Sequence, residues 1–209
     1  MELLVGKLFV SLLLITFFLS GTASGQDSQF SQFYANPLFL NPSLAGADEC
    51  MRIMAGYRNQ WPALDNSFTT YALGADRRID ALSGGVGLTV MSDDAAGLVN
   101  TLRAGLIYSY HLKISRQATL NAGIEIVAHQ QRLDWDELIF ADMINTSTGQ
   151  VLPAGTAEVK PDNTSVLVPD FATGLMLGIG DKYYAGIAAH HLAQPDIDYY
   201  TSSGENPLY

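Results

Sequence analysis

Ser109 and His111 stand two residues apart, which on a β-strand puts a hydroxyl and an imidazole on one face. A lipid hydrolase built on a strand could use such a pair. A serine nucleophile also needs a base in reach and a third group to orient that base. The sequence offers no identifiable third residue, so polar residues lining an interior are the simpler reading. Asp134, Asp136, Glu137 and Asp142 supply oxygen ligands of the kind calcium prefers. They lack the calcium-loop spacing in which a glycine fixes the turn, and read as a solvated acidic loop. His190 and His191 are adjacent and on a strand would face opposite ways, which does not suit a shared metal. His111 and His129 could share one face, but no Cys or carboxylate stands at ligand spacing beside them. Arg103 and Glu125 are expected to pair across neighbouring strands. The chain has no Gly-x-Ser-x-Gly, phosphate loop or zinc motif. No catalytic, metal or cofactor site is expected, and no enzyme.

The elements that would carry these residues begin after an export signal. Lys7, the apolar run Leu8 to Leu19 and the small residues Thr22-Ala23-Ser24-Gly25 have the form of a secretory signal peptide over 1–25. That run is too short and wrongly flanked for a membrane helix. Cys50 is the only cysteine, so no internal disulfide framework and no lipid anchor near the cleavage zone are expected. The net charge is −10, which excludes nucleic acid as an expected partner. Hydrophobic residues make up 48% of the chain, yet nothing after the signal approaches the roughly 20 apolar residues of a spanning helix. An exported, apolar chain rich in Gly and Tyr can hide its hydrophobicity in alternation, as membrane β-barrels do.

The alternation is clearest over Thr101 to Leu112. Leu102, Ala104, Leu106, Tyr108, Tyr110 and Leu112 fall on one face; Thr101, Arg103, Gly105, Ile107, Ser109 and His111 fall on the other. Gln117 to His129 repeats the pattern, and the short polar link Lys113 to Arg116 makes the two a hairpin. Met51 to Trp61 and Ser67 to Arg77 read as paired strands around Pro62 to Asn66. Gly84 to Met91, Phe171 to Gly180 and Tyr183 to Ala193 complete about seven strands, the last two joined at Asp181-Lys182. A soluble β-sandwich also alternates, with its apolar face buried. Strand length and aromatics at expected strand ends (Tyr57, Phe68, Phe171, Tyr183 and Tyr184) favour an all-β, antiparallel, up-and-down transmembrane barrel.

Residues 26–49 form an extended segment ahead of the strands of 50–209. In it Asn36-Pro37 and Asn41-Pro42 keep the chain extended or turned. Its apolar residues, Phe33 and Tyr34 among them, suit a lumen plug, packing along the rim or a partner contact. The longest irregular stretch, 134–170, is expected to be an extracellular loop, with a short helix or extra strand over Glu137 to Ile144. Single-chain bacterial barrels have an even strand count of eight or more. About seven strands therefore leads to the expectation of an incomplete, N-terminal portion of a larger barrel, with a small eight-stranded barrel as the alternative.

Gln29-Phe30-Ser31-Gln32-Phe33-Tyr34-Ala35-Asn36-Pro37-Leu38-Phe39-Leu40-Asn41-Pro42-Ser43-Leu44-Ala45-Gly46 resembles the opening signature of the PorP/SprF family of the Bacteroidetes type IX secretion system. Tyr57-Arg58-Asn59-Gln60-Trp61-Pro62 is similar to that family's first-hairpin motif. Leu133-Asp134-Trp135-Asp136 with Ile139-Phe140 is similar to its acidic loop, and Pro169-Asp170-Phe171 to its next strand opening. The resemblance covers essentially the whole mature chain. It implies an outer-membrane barrel that serves protein secretion and, in gliding bacteria, the display of surface adhesins. Its implied partners are outer-membrane lipid, other type IX subunits and secreted surface proteins. A passive porin-like channel and an outer-membrane lipid hydrolase are the alternative readings.

Overall fold

The computed structural model describes residues 32–64, 66–152, 155–180 and 182–194, with 197 and 199. The expected signal peptide, residues 26–31 of the extended segment and Asp181 of the expected tight turn lie outside the described residues. Strands run in chain order as β1 (Arg52–Gln60), β2 (Phe68–Ile79), β3 (Gly84–Ala95), β4 (Val99–Lys113), β5 (Ala118–Leu133), β6 (Ser165–Ile179) and β7 (Tyr183–Ala189). Each pairs antiparallel with its sequence neighbour in one seven-stranded sheet, β1 to β7 in order, which curls into a half-barrel. No helix among the described residues is long and apolar enough to cross a membrane.

The sheet is polar inside and apolar outside. On β4, Leu102, Leu106, Tyr110 and Leu112 are exposed, while Arg103, Ile107 and Ser109 are buried. Leu106 is 67% exposed and Ser109 0%. A soluble sandwich would bury the leucines instead; the alternation therefore belongs to a wall with an apolar surroundings. The register aligns this outer surface across strands. Leu88 lies opposite Leu106, Leu106 opposite Ile126, and Ile126 opposite Phe171, giving a row of exposed apolar side chains from β3 to β6. Opposite pairs of this kind are the unit of sheet stabilisation.

The two ends of the wall differ. One end carries the links 80–83, 114–117 and 180–182; the other carries 61–67, 96–98 and the long loop 134–164. The loop holds 3-10 turns at Trp135–Glu137 and Ala141–Met143, and a bridge joins Ile144 to Val151.

Three local expectations change. β6 starts at Ser165, inside the stretch 134–170 read as loop, although Pro169 has no N–H to give to a ladder. The Leu192 N–H donates to the Phe171 carbonyl, so Phe171 directs its backbone polar groups to the β7 side. Pro169, two residues earlier, faces the same way, so its missing N–H removes no bond to β5. Phe171 consequently sits inside β6 opposite Ile126, not at a strand end. β7 ends at Ala189, and His191 has φ +55°, so His190 and His191 lie beyond the strand.

Candidate functional site

The twice-repeated Asn-Pro builds the segment ahead of β1. Proline fixes φ near the helical value and suits a first helical position, while the residue before it avoids helix. A 3-10 turn (Phe33–Ala35), one α-helical turn (Pro37–Leu40) and a second 3-10 turn (Pro42–Leu44) result, separated by Asn36 and Asn41. Asn41 is extended, with φ −158°. Its Oδ1 accepts from the Ser43 N–H at 2.9 Å and the Ser43 hydroxyl at 2.7 Å. Its Nδ2 donates to the carbonyls of Leu175 and Ile187, each at 3.2 Å. One side chain thus caps its own turn and ties it to β6 and β7. Asn41, Pro42 and Asn36 are buried, and Tyr34 is exposed.

The concave face answers this segment group by group. The Ser109 hydroxyl donates to the Ser43 carbonyl at 2.9 Å, and His111 Nε2 lies 3.0 Å from the Ala45 carbonyl. Asp76 accepts from the Gly46 N–H at 2.7 Å and from Arg52 Nε and Nη2 at 2.9 and 3.0 Å. Arg52 also donates to the Leu44 carbonyl and to Asp48. Leu38, Ala45 and Ile107 are buried together, with Met54 packed against them.

Glycines on the strands make the room. A Cβ at Gly123 would lie 2.3 Å from the Ser43 nitrogen, and one at Gly174 would lie 2.0 Å from Asn41 Oδ1. At Gly123 a Cβ would meet segment backbone, so any larger residue must displace the segment, and at Gly174 it would displace the Asn41 side chain.

The remaining sequence candidates are placed elsewhere. Tyr57 packs on Tyr71 with tilted rings and centroids 5.2 Å apart, and the Asn59 amide donates to the Tyr57 hydroxyl. Arg58 bonds Gln60 along β1, and Trp61 meets Phe68 edge-on at 5.4 Å. The Asp134 N–H donates to the Leu98 carbonyl, Trp135 packs on Phe140, and Asp136 pairs with Lys160 at 3.2 Å. Asp142 accepts from the Ala157 N–H and the Thr156 hydroxyl. The Asp136 and Asp142 carboxylates thus serve separate local contacts. The Ser109 and His111 side chains, read as a possible catalytic pair, both address carbonyls of the N-terminal segment.

The concave face also buries charge. The register sets His129, not Glu125, opposite Arg103, although Arg103 remains close enough for its charge to act on Glu125. Glu125 accepts from the Thr89 hydroxyl at 2.7 Å, and Asp170 faces His191 Nδ1 at 2.7 Å. Sequence reasoning missed Asp76 and the seating role of the glycines, and met Asp170 only as part of the Pro169-Asp170-Phe171 motif. The available signal was parity: Asp76, Gly123 and Gly174 occupy the inward positions of their strands.

No curated protein and no solved structure matches the chain. A family model described as type IX secretion system membrane protein PorP/SprF matches residues 22–209. With apolar residues outward, polar residues inward and nearly the whole sequence matched, the chain belongs to the PorP/SprF family of type IX secretion system membrane proteins.

Proposed function

We propose that this protein is a non-enzymatic outer-membrane component of the type IX system that aids secretion or surface attachment of adhesins and gliding proteins. In this reading the short-turn end faces the periplasm and the long loop faces outside, as in other outer-membrane barrels. Lipid contacts the convex face. The described half of the wall is not an open pore lining, because the chain's own segment, with Phe33, Tyr34, Asn36, Pro37, Asn41 and Pro42, acts as a plug anchored to it. The single observation that carries the reading is this anchoring: Asn41, Ser43, Ala45 and Gly46 are each bonded to concave-face strands or turns of the seat. A passive porin would need that space free.

The test is deletion of the gene, with detection of surface adhesins on intact cells and fractionation of the membranes. Loss of adhesins from the surface, with the protein in the outer-membrane fraction, is expected. Unchanged adhesin display would overturn the reading. A stable open pore of defined conductance from the purified full chain would support the porin instead.

A further inference from the structure

We infer that the concave mouth at the short-turn end is a docking cleft for an extended acidic peptide segment of a periplasmic partner. The inference rests on the proposed function for the side of the membrane this mouth faces. A cleft of about 430 Å³ opens there, between the exit of the N-terminal segment at Leu44 and Asp48 and the inward residues of β4 to β6. Its walls carry Arg78, His111, Lys113, Thr119 and Asn121.

Charge decides the kind of partner. The chain as a whole is strongly acidic, at −10, yet this end gathers six of its eleven Lys and Arg: Arg77, Arg78, Lys113, Arg116 and Lys182, beside Arg52. Of the described acids at the mouth, Asp48, Asp76 and Asp80 are already engaged, and Glu49 alone has no ion pair. Asp48 and Asp76 both bind Arg52, and Asp80 binds Arg78 at 3.0 Å. Among the described residues, no ion pair is formed by Lys113. Arg78 is close enough for its charge to act on His111. The opposite end carries Asp93, Asp94, Asp134, Asp136, Glu137, Asp142, Glu158 and Asp162 and offers an anion nothing comparable.

Position decides between sources of negative charge. Residues 78, 111, 113, 119 and 121 all fall on the inward parity of their strands, the parity of buried Asp76, Ser109 and Gly123. Lipid head groups meet the outward face, so a lipid phosphate does not reach the cleft. Carboxylates of an extended chain do. Cations would set the steering, and His111, Thr119 and Asn121 would supply hydrogen bonds to the peptide backbone.

The test is anisotropy of a fluorescent Glu/Asp-rich decapeptide titrated with the purified full chain in neutral detergent. A Gln/Asn peptide of the same length serves as comparison. The acidic peptide should bind more tightly, and binding should weaken as salt rises. Lys113→Glu should weaken it on the order of tenfold, and Arg78→Gln by less, because Asp80 already neutralises part of its charge. Arg132→Glu, at the opposite end, should change nothing and controls for overall charge. Equal binding of both peptides, or equal loss with Arg132→Glu, overturns the inference. Heat-modifiable migration in gels checks that each variant is folded. Failure here with adhesin display still dependent on the gene removes the cleft alone; failure of adhesin display removes the broader function.

Discussion

Two irregular stretches of this chain are built from similar materials and end differently. The segment 32–47 and the loop 134–164 both contain two short 3-10 turns, with Asn, Pro and Gly around them. In the first, Asn41 and the Ser43, Ala45 and Gly46 backbones bond to strands or to residues fixed on them. In the second, apart from bonds at its two ends (Asp134 to Leu98, Leu133 to Thr164), the side-chain bonds of the described residues stay within the loop: Asp142 with Thr156 and Ala157, Asp136 with Lys160, Asn145 with Ser147. The first is largely buried and the second largely exposed. Turn chemistry alone did not separate them. What separates them is a prepared wall, with glycines where the segment's backbone must pass and polar groups where its carbonyls point.

If the wall creates the difference, the largest effect comes from filling it. Gly123→Val should unseat the segment and destabilise the protein by about 3 kcal/mol, the upper part of the range for overpacking. Unfolding in detergent followed by circular dichroism would measure this. The segment's amides should also lose hydrogen-exchange protection and come to resemble those of 134–164. Protection retained at wild-type level would mean that the seat is pliable enough to take a side chain at Gly123.

Asp76→Ala removes a buried acceptor shared by Gly46 and Arg52. A loss of about 2 kcal/mol is expected, because hydrogen bonds to charged groups exceed neutral ones and Arg52 keeps Asp48 as an exposed partner. Asn41→Ala should follow at roughly 1–2 kcal/mol. It deletes the ties to Leu175 and Ile187 but leaves the turn's proline in place. The same unfolding assay ranks all three. A cost for Asn41→Ala above that of Gly123→Val would reverse the ranking and make the hydrogen bonds, not the glycine floor, the main anchor.

This ranking also marks what the sequence could tell. The strands were legible because alternation persists through β4 and β5, where Leu102 to Leu112 and Ala118 to Ala128 keep one parity. The family was legible from ordered motifs. The seat was not, because its halves lie far apart: Asn41 meets Leu175 across 134 positions and Ile187 across 146. A glycine that receives a distant backbone looks in sequence like any strand glycine. The start of β6 was read as loop within 134–170, and Pro169 sits there where the missing donor is harmless. The aromatics were a partial guide, with Phe68 at a strand start and Phe171 well inside one.

The smallest expected effect sharpens the other side of the comparison. The Ala157 N–H, and then the Thr156 hydroxyl, hold the Asp142 carboxyl below the usual aspartate range. Its folded pKa is therefore lower than its unfolded one. The loop gains this anchor at pH above the ordinary aspartate value and loses it as pH falls through the lowered one. Because Asp142 is fully exposed, solvent screens the contact and only local order should respond. Limited proteolysis at neutral pH should cut Asp142→Asn faster than wild type between Asp142 and Thr156, while the unfolding midpoint stays put. Acidifying wild type should raise its cleavage toward the variant's, using a protease active at low pH. A shift of the whole-protein midpoint on this substitution would show that the loop is coupled to the wall, and the contrast between the two stretches would then be one of degree.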